Sequence, residues 1–403
     1  MNVDRIKKQF PIFKKHPEIH FFDSAASSLK HKDAIKSLSD YLAYNGTNVH
    51  RGVYKLAAEA TDLYEGARAK VADFIHADVS EIVFTKSTTH AINMLAYAIQ
   101  DLINEGDEIV ISELEHHSNL LPWLNLAEKK KAVVKFIPLE KGSITISNFK
   151  KVLSKKTKLV VTHHISNVFG YVAPIKKMIE LAHKVGAYVF VDCAQSASQV
   201  EIDAKKLDID FLAFSGHKMY GPNGIGVLYG KKNLLEMINP AEFGGEMVDK
   251  VHLDKESTYK AVPYKFESGT PPIAEAIGLA SAIDFIKKGN RKAKYQYTLN
   301  LRNYILENLK DEKGITIYNK DFDTNLITLN IDGVHPHDVA SFLDSMEVCV
   351  RAGHHCNQLT MRYLEQNATI RASVGIYNTI EDCDVLIKAL KETRDFFIGF
   401  WKE

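Results

Sequence analysis

No stretch of about eighteen apolar residues occurs in this 403-residue chain, so no membrane-spanning helix is expected. Residues 1–15 carry charge but no apolar core of the secretory type, so no signal peptide is expected there. Cysteine is scarce. Cys193, Cys349, Cys356 and Cys383 are the only four, and no two stand at C-x-x-C spacing. So few cysteines in so long a chain point to a reducing compartment, the cytoplasm. Neither charge dominates: 51 Lys and Arg face 50 Asp and Glu, a formal charge of +1. No global field therefore favours nucleic acid or an anionic membrane. Neither G-x-x-x-x-G-K-[ST] nor G-x-G-x-x-G occurs, so the common nucleotide-phosphate loops are missing. Internal repeats, low-complexity segments and long flexible linkers are also lacking.

What is present is an alternation. From Glu81 to Tyr229, short runs rich in Val, Ile and Phe alternate with helix-length segments. The runs begin at Ile82, Glu108, Val133, Leu159, Tyr188, Phe211 and Ile225, and most do not alternate polar with apolar. That pattern suits strands buried on both faces. Amphipathic stretches such as Ala91 to Asn104 and Ile175 to Val185 lie between them. The succession predicts an α/β fold with a mainly parallel, seven-stranded sheet. Its site belongs at the carboxyl ends of the strands. After about Ala274 the pattern changes to long helices and the strand-like run Asn325 to Asn330. Residues 1–15 are thus read as an arm packing with the small domain, 16–274 as a large domain, and 275–403 as a smaller α+β domain.

Val189-Phe190-Val191-Asp192 is an apolar run ending in an acid, and Lys218 follows in Ser215-Gly216-His217-Lys218. The pair matches the needs of pyridoxal phosphate (PLP). Its aldehyde takes a lysine, and its pyridine nitrogen takes a carboxylate that keeps it protonated. Ser87-Thr88-Thr89 follows a strand and opens a helix, which makes either an anion site or an ordinary cap. His116, in Glu115-His116-His117, could stack on a cofactor ring and move protons, or belong to a capping cluster. Asn167 could bond a ring hydroxyl or a carboxylate, or serve a turn. In Arg351-Ala352-Gly353-His354-His355-Cys356 a thiol lies beside histidines and arginines, with Arg371 fifteen positions on. Such a thiol could be a nucleophile, or else a small buried side chain. Adjacent residues rarely converge on one ion, and no second ligand pair lies nearby, so no metal is expected.

Taken in order, these motifs resemble the cysteine desulfurases of the class V aminotransferase family, a group with PLP fold type I. The resemblance spans nearly the whole chain and is closest to the SufS-like branch. It also includes Phe22-Asp23-Ser24-Ala25-Ala26, Asn48-Val49-His50-Arg51-Gly52, Asp192-Cys193-Ala194-Gln195 and Phe266-Glu267-Ser268-Gly269-Thr270-Pro271. The Ser-Gly-His-Lys and Arg-x-Gly-His-His-Cys motifs are its most specific parts. Two positions depart from the common pattern: Ser24, where Asn is frequent, and His90, where an acid or glutamine is usual.

The resemblance implies roles. Lys218 carries PLP and later takes the substrate's Cα proton. Asp192 pairs with the ring nitrogen, Gln195 bonds the ring hydroxyl, and His116 stacks on the ring. Thr88, Thr89, Ser215 and His217 hold the phosphate, with Thr270 reaching in from a second subunit of a homodimer. Arg371 clamps the substrate carboxylate, with Asn167 and His354 beside it. Cys356 takes sulfur from L-cysteine as a persulfide and alanine leaves. The sulfur would pass to an acceptor of the SufE or SufU type for iron–sulfur cluster assembly. The same family accommodates selenocysteine lyases and transaminases, so L-selenocysteine is an alternative substrate. A non-catalytic scaffold of the same fold is disfavoured by the intact Lys218, Asp192, His116 and Arg371.

Overall fold

The computed structural model describes residues 2–400. The apolar runs form seven strands: β1 Ile82–Thr85, β2 Glu108–Ser112, β3 Val133–Ile137, β4 Thr157–His163, β5 Tyr188–Asp192, β6 Phe211–Ser215 and β7 Gly226–Gly230. They make one sheet in the order β1-β7-β6-β5-β4-β2-β3. Only β7 runs antiparallel to its neighbours. The segment joining β6 to β7, residues 216–225, is shorter than the dozen or so residues a parallel crossover takes. The central strands are buried on both faces, whereas the edge strand β3 is partly exposed. Tyr64, Phe84 and Phe169 belong to the apolar layer on one side of the sheet, and Trp123, Phe190 and Leu95 to that on the other.

A second sheet follows: β8 Ile315–Ile317, β9 Leu326–Ile331, β10 Arg351–Gly353 and β11 Thr369–Ser373, antiparallel in the order β8-β9-β11-β10. Helices Arg291–Leu309 and Ile380–Phe400 share its core through residues such as Leu301, Ile305 and Leu386. The chain's beginning is tied into this unit. Lys7 and His20 both pair with Asp382, at 3.1 and 2.7 Å. His20–Phe21 runs parallel to Val348–Cys349, and Phe22 is buried in the same core. Phe10 packs against Tyr377 and also against Phe285 and Tyr220 of the larger unit.

One border moves. The sequence reading divides the domains after residue 274. Helix Ile273–Lys287 instead packs on helices Lys32–Tyr44 and Lys55–Phe74. Its Ile273, Ala276, Leu279 and Ile283 join the larger core. Gly278 permits the contact: a Cβ there would lie 3.0 Å from Pro222 Cγ and 3.3 Å from the Ala34 carbonyl oxygen. By packing, the smaller unit begins after Lys287. The helix read from Ala91 to Asn104 is also shorter. Ser87 caps it by accepting from the His90 N–H at 3.2 Å, and the α-helix ends at Ala98.

A buried ion pair pins the segment that leads to Thr270. Arg68 donates from Nη1 and Nη2 to Glu267 at 2.7 and 2.9 Å. Glu267 also accepts from the Phe84 N–H at 2.7 Å and the Tyr64 hydroxyl at 3.0 Å. Breaking one side of such a pair leaves the partner desolvated and under-compensated. Glu65 still pairs with Arg68 Nε at 2.9 Å, so the loss falls at the low end of the usual range. Glu267→Gln is expected to lower stability by about 3 kcal/mol, read as a fall in the urea midpoint at unchanged slope.

Candidate active site

The carboxyl ends of the parallel strands point to one side of the sheet, and the loops leaving them meet β10 and β11 there. They enclose a cavity of about 170 Å³ whose wall includes Thr88, His116, Asp192, Lys218, Cys356 and Arg371.

Asp192 ends β5 and lies in register with His163 of β4 and Ala213 of β6. Its Oδ1 accepts from the Ala194 N–H at 2.8 Å. Burial pushes its carboxyl up to about 6; that hydrogen bond and Lys218 pull the other way. Lys218 follows β6 on a short 3-10 turn, Gly216–Lys218. Among the described residues its amine has no hydrogen-bond or ion-pair partner. Burial brings it down to about 8, helped by Arg371 and Arg351 and opposed by Asp192. A lysine near 8 spends an appreciable fraction of its time as a free amine at neutral pH.

His116 accepts from the Ser118 N–H at Nδ1, 3.0 Å, so its proton sits on Nε2. Burial, and then Lys218, lower it to about 3, which keeps the ring neutral. At the opening of the helix Thr88–Ala98, the Thr88 N–H and hydroxyl both lie 2.7 Å from Ser215 Oγ. Thr89 Oγ1 is 2.7 Å from Ser118 Oγ. Gly226 lets β7 pass beneath this turn, since a Cβ there would fall 2.6 Å from Ser87 Cα. His217 is on the same wall, lowered to about 4 by burial. Gln195 spends its amide nitrogen on the Ala25 carbonyl at 2.8 Å, leaving its carbonyl oxygen as an acceptor.

The smaller unit supplies the other wall. Arg371 on β11 is buried and donates from Nη1 to the Asn167 carbonyl at 2.7 Å. Its Nε is buried without a partner among the described residues. Cys356 is the exposed cysteine of the four; Cys193 and Cys383 are buried. Burial raises the thiols of Cys193, Cys349 and Cys383, Cys383 to about 12. The Cys356 carbonyl accepts from the His117 N–H at 2.7 Å, and Asn357 donates to the Leu114 carbonyl at 2.8 Å. The loop bearing Cys356 is thereby fastened to the segment that carries His116.

One expectation, His354, changes in detail, and Asn167 and Thr270 gain local context. His354 is exposed and off the cavity wall; its neighbour His355 is buried on that wall, with Nε2 2.9 Å from Thr369 Oγ1. His355 and Cys356, both at positive φ, line the cavity together. Asn167 donates its amide to the His355 carbonyl at 2.7 Å, so it braces the loop and Arg371. Thr270 is exposed and outside this chain's own cavity. The two departures have local partners. His90 lies 2.9 Å from Glu242 and accepts from the Lys86 N–H, and Ser24 Oγ is 2.7 Å from the Tyr377 hydroxyl. Sequence reasoning missed His163, whose Nδ1 meets buried Glu115 at 2.7 Å, and gave Arg351 and Asp23, though it named their motifs, no role of their own. The double histidine at the end of β4, His163-His164, is the signal that could have found the first.

The donor set fits pyridoxal phosphate. A hydroxyl-rich helix start receives an anion, a buried carboxylate meets a pyridinium, a neutral imidazole lies between, and an unpartnered amine awaits an aldehyde. These features define a PLP-dependent enzyme of α/β fold. The aminotransferase class-V family model matches residues 20–386. A probable cysteine desulfurase of Halalkalibacterium halodurans is 48% identical over 403 residues, covering 98% of this chain and 99% of that one. One from Staphylococcus epidermidis is 45% identical over 404 residues, covering 98% of each. Among solved structures, the cysteine desulfurase CsdA of Escherichia coli, in its S-sulfonic acid form, superposes with a TM-score of 0.92 at 34% identity, covering 98% of this chain and 99% of that one. The apo cysteine desulfurase of Thermococcus onnurineus does so with 0.93 at 36%, covering 98% of each. The chain belongs to the class V aminotransferase family.

Lys218 offers a direct check on these electrostatics. Reductive labelling of the apo protein with an aldehyde, followed by peptide mass spectrometry, should give a half-maximal rate for Lys218 near pH 8. A midpoint near 10.5, the value for a free lysine side chain, would mean that burial does not depress this amine.

Proposed function

We propose that this protein is a PLP-dependent cysteine desulfurase that converts L-cysteine to L-alanine and keeps the sulfur on Cys356. The observation that carries the reading is an exposed thiol, Cys356, on the same cavity wall as an unpartnered Lys218 and a buried Arg371. When bound, pyridoxal phosphate supplies an aldehyde for the substrate amine and a protonated ring that accepts electrons from the Cα–H bond.

The chain's residues do the rest. Arg371 offers N–H groups to the substrate carboxylate, and a planar fork suits a carboxylate better than an ammonium does. Asp192 would hold the ring nitrogen protonated, Thr88, Thr89, Ser215 and His217 would hold the phosphate, and Gln195 the ring hydroxyl. His116, neutral and with its proton on Nε2, would be available to the cofactor ring. The free amine of Lys218 takes the Cα proton. Cys356, as thiolate, attacks the substrate sulfur. The sulfur–sulfur bond forms as the Cβ–sulfur bond breaks, and the carbon fragment keeps that electron pair, takes up protons and leaves as alanine.

The same reading includes the assembly. The larger unit, up to Lys287, binds the cofactor and the smaller unit carries the nucleophile loop, with the N-terminal segment through Phe22 joined to the latter. Val53, close in sequence to His50-Arg51, and Leu253 are fully exposed, and Val251 is largely so. A second copy of the chain would cover them and bring Thr270 to the partner's phosphate. The protein works in the cytoplasm and hands sulfur to a SufE- or SufU-type acceptor serving iron–sulfur cluster assembly. No helix among the described residues is long and apolar enough to cross a membrane.

Cys356→Ala should retain PLP yet release no sulfide from cysteine. Brief exposure of the wild type to cysteine should add one sulfur to the peptide bearing Cys356, seen by mass spectrometry. Extra sulfur on Cys193, Cys349 or Cys383 instead would sink the mechanism. Arg371→Lys should weaken cysteine binding by about 1.5–3 kcal/mol, the range for a hydrogen bond to a charged group. Unchanged apparent affinity would remove Arg371 from the substrate site.

A further inference from the structure

Arg371 does not stand alone. Arg351 on β10 lies directly across from it on β11 in register, so two guanidinium side chains leave the same face of the small sheet. Both reach the cavity wall, as does Lys218. Three cations therefore meet there, and Asp192 answers Lys218 from the far side. The only ion pair to Arg371 among the described residues comes from Asp23, whose Oδ1 lies 3.5 Å from Nη2.

That distance is too long for a strong N–H···O bond but short for two unit charges. Arg371 does not need it for placement. Its strand is paired on both sides, and Nη1 is already tied to the Asn167 carbonyl. Asp23, in contrast, is placed with care. Ser373 donates its N–H to the Phe22 carbonyl at 2.7 Å, and the Ala25 N–H donates to Ser373 Oγ at 2.9 Å. The N-terminal segment is thus zipped along β11 two residues from the arginine. Burial raises the Asp23 carboxyl, and Arg371, Arg351 and Lys218 oppose the rise.

We propose that Asp23 tunes the Arg351–Arg371 pair, offsetting its charge so that substrate and product carboxylates are held weakly enough to exchange. The inference rests on the desulfurase reading above. Cysteine and alanine present the same carboxylate and ammonium groups. A fork that grips one more tightly grips the other equally, and such uniform binding does not speed the chemical step. With Asp23 in place, the entering carboxylate meets a partly balanced cluster; without it, a stronger anion trap. Asp23 acts through the arginines and is a positioning residue, since it is not itself on the cavity wall.

The test is calorimetric titration of the PLP-loaded enzyme with L-alanine, beside steady-state kinetics with L-cysteine. Asp23→Asn and Asp23→Ser both remove the charge, and Asp23 is 24% exposed, so the fold should tolerate either. Melting temperature identifies the folded variants. The alanine Kd and the cysteine KM should fall together by about fivefold or more, as expected for removing one charge 3.5 Å from the guanidinium that receives the carboxylate, at a partly screened site. A merely structural role for Asp23 would raise both. Unchanged or weaker alanine binding in a folded variant overturns the inference. Failure of the wild type to convert cysteine would instead overturn the functional reading.

Discussion

Asp192 has to keep a negative charge in a place where water cannot help it. It is buried at the end of β5, and burial alone pushes its carboxyl upward. What holds the charge is Lys218, carried by the turn after the adjacent strand, and the backbone N–H of Ala194. Lys218 in turn is drawn down by burial and by two arginines from the smaller unit. The site is therefore a balance among few charges in a low-dielectric cavity, where each is worth more than at the surface. The strand order β6-β5-β4 makes the balance possible, because it brings three strand ends together within two strand spacings.

The second unit completes that balance, and polar ties as well as apolar contacts such as Phe169 on Phe322 and Tyr363 fix its position. Arg371 bonds the Asn167 carbonyl, Asn167 bonds the His355 carbonyl, and Asn357 bonds the Leu114 carbonyl. Each tie crosses from one unit to the other. Thr328 adds another, donating to the Val168 carbonyl at 2.5 Å. Buried backbone acceptors used in this way leave little freedom for the walls to drift.

The nucleophile loop carries a cost of its own. His355 and Cys356 both have positive φ, +53° and +54°, a region that costs a non-glycine residue about 1–2 kcal/mol. The hydrogen bonds from His117 and Asn357 hold the turn there. The result turns His355 inward and leaves the Cys356 side chain accessible at the cavity edge, the exposure that the proposed role of this thiol calls for.

Much of this was written in the chain. The β-rich runs specified seven strands, all but the edge strand β3 buried, because residues buried on both faces leave a simple apolar signature. Asp192, Lys218, Cys356 and Arg371 were legible because their chemistry demands particular residue types beside recognisable strand ends and turns. The border after Lys287 was not legible. A helix that is apolar all round has no sequence mark saying which core it joins, and only its packing on the helices at 32–44 and 55–74 decides. Nor could the sequence say that His355 rather than His354 faces the cavity, since two left-handed residues reverse the local direction. Arg351, Asp23 and the Glu115–His163 pair became site residues only through strand register and the parallel docking of residues 20–23. Their partners lie 20 to 348 positions away, as in Arg351 to Arg371 and Asp23 to Arg371, and no local pattern encodes contacts at that range.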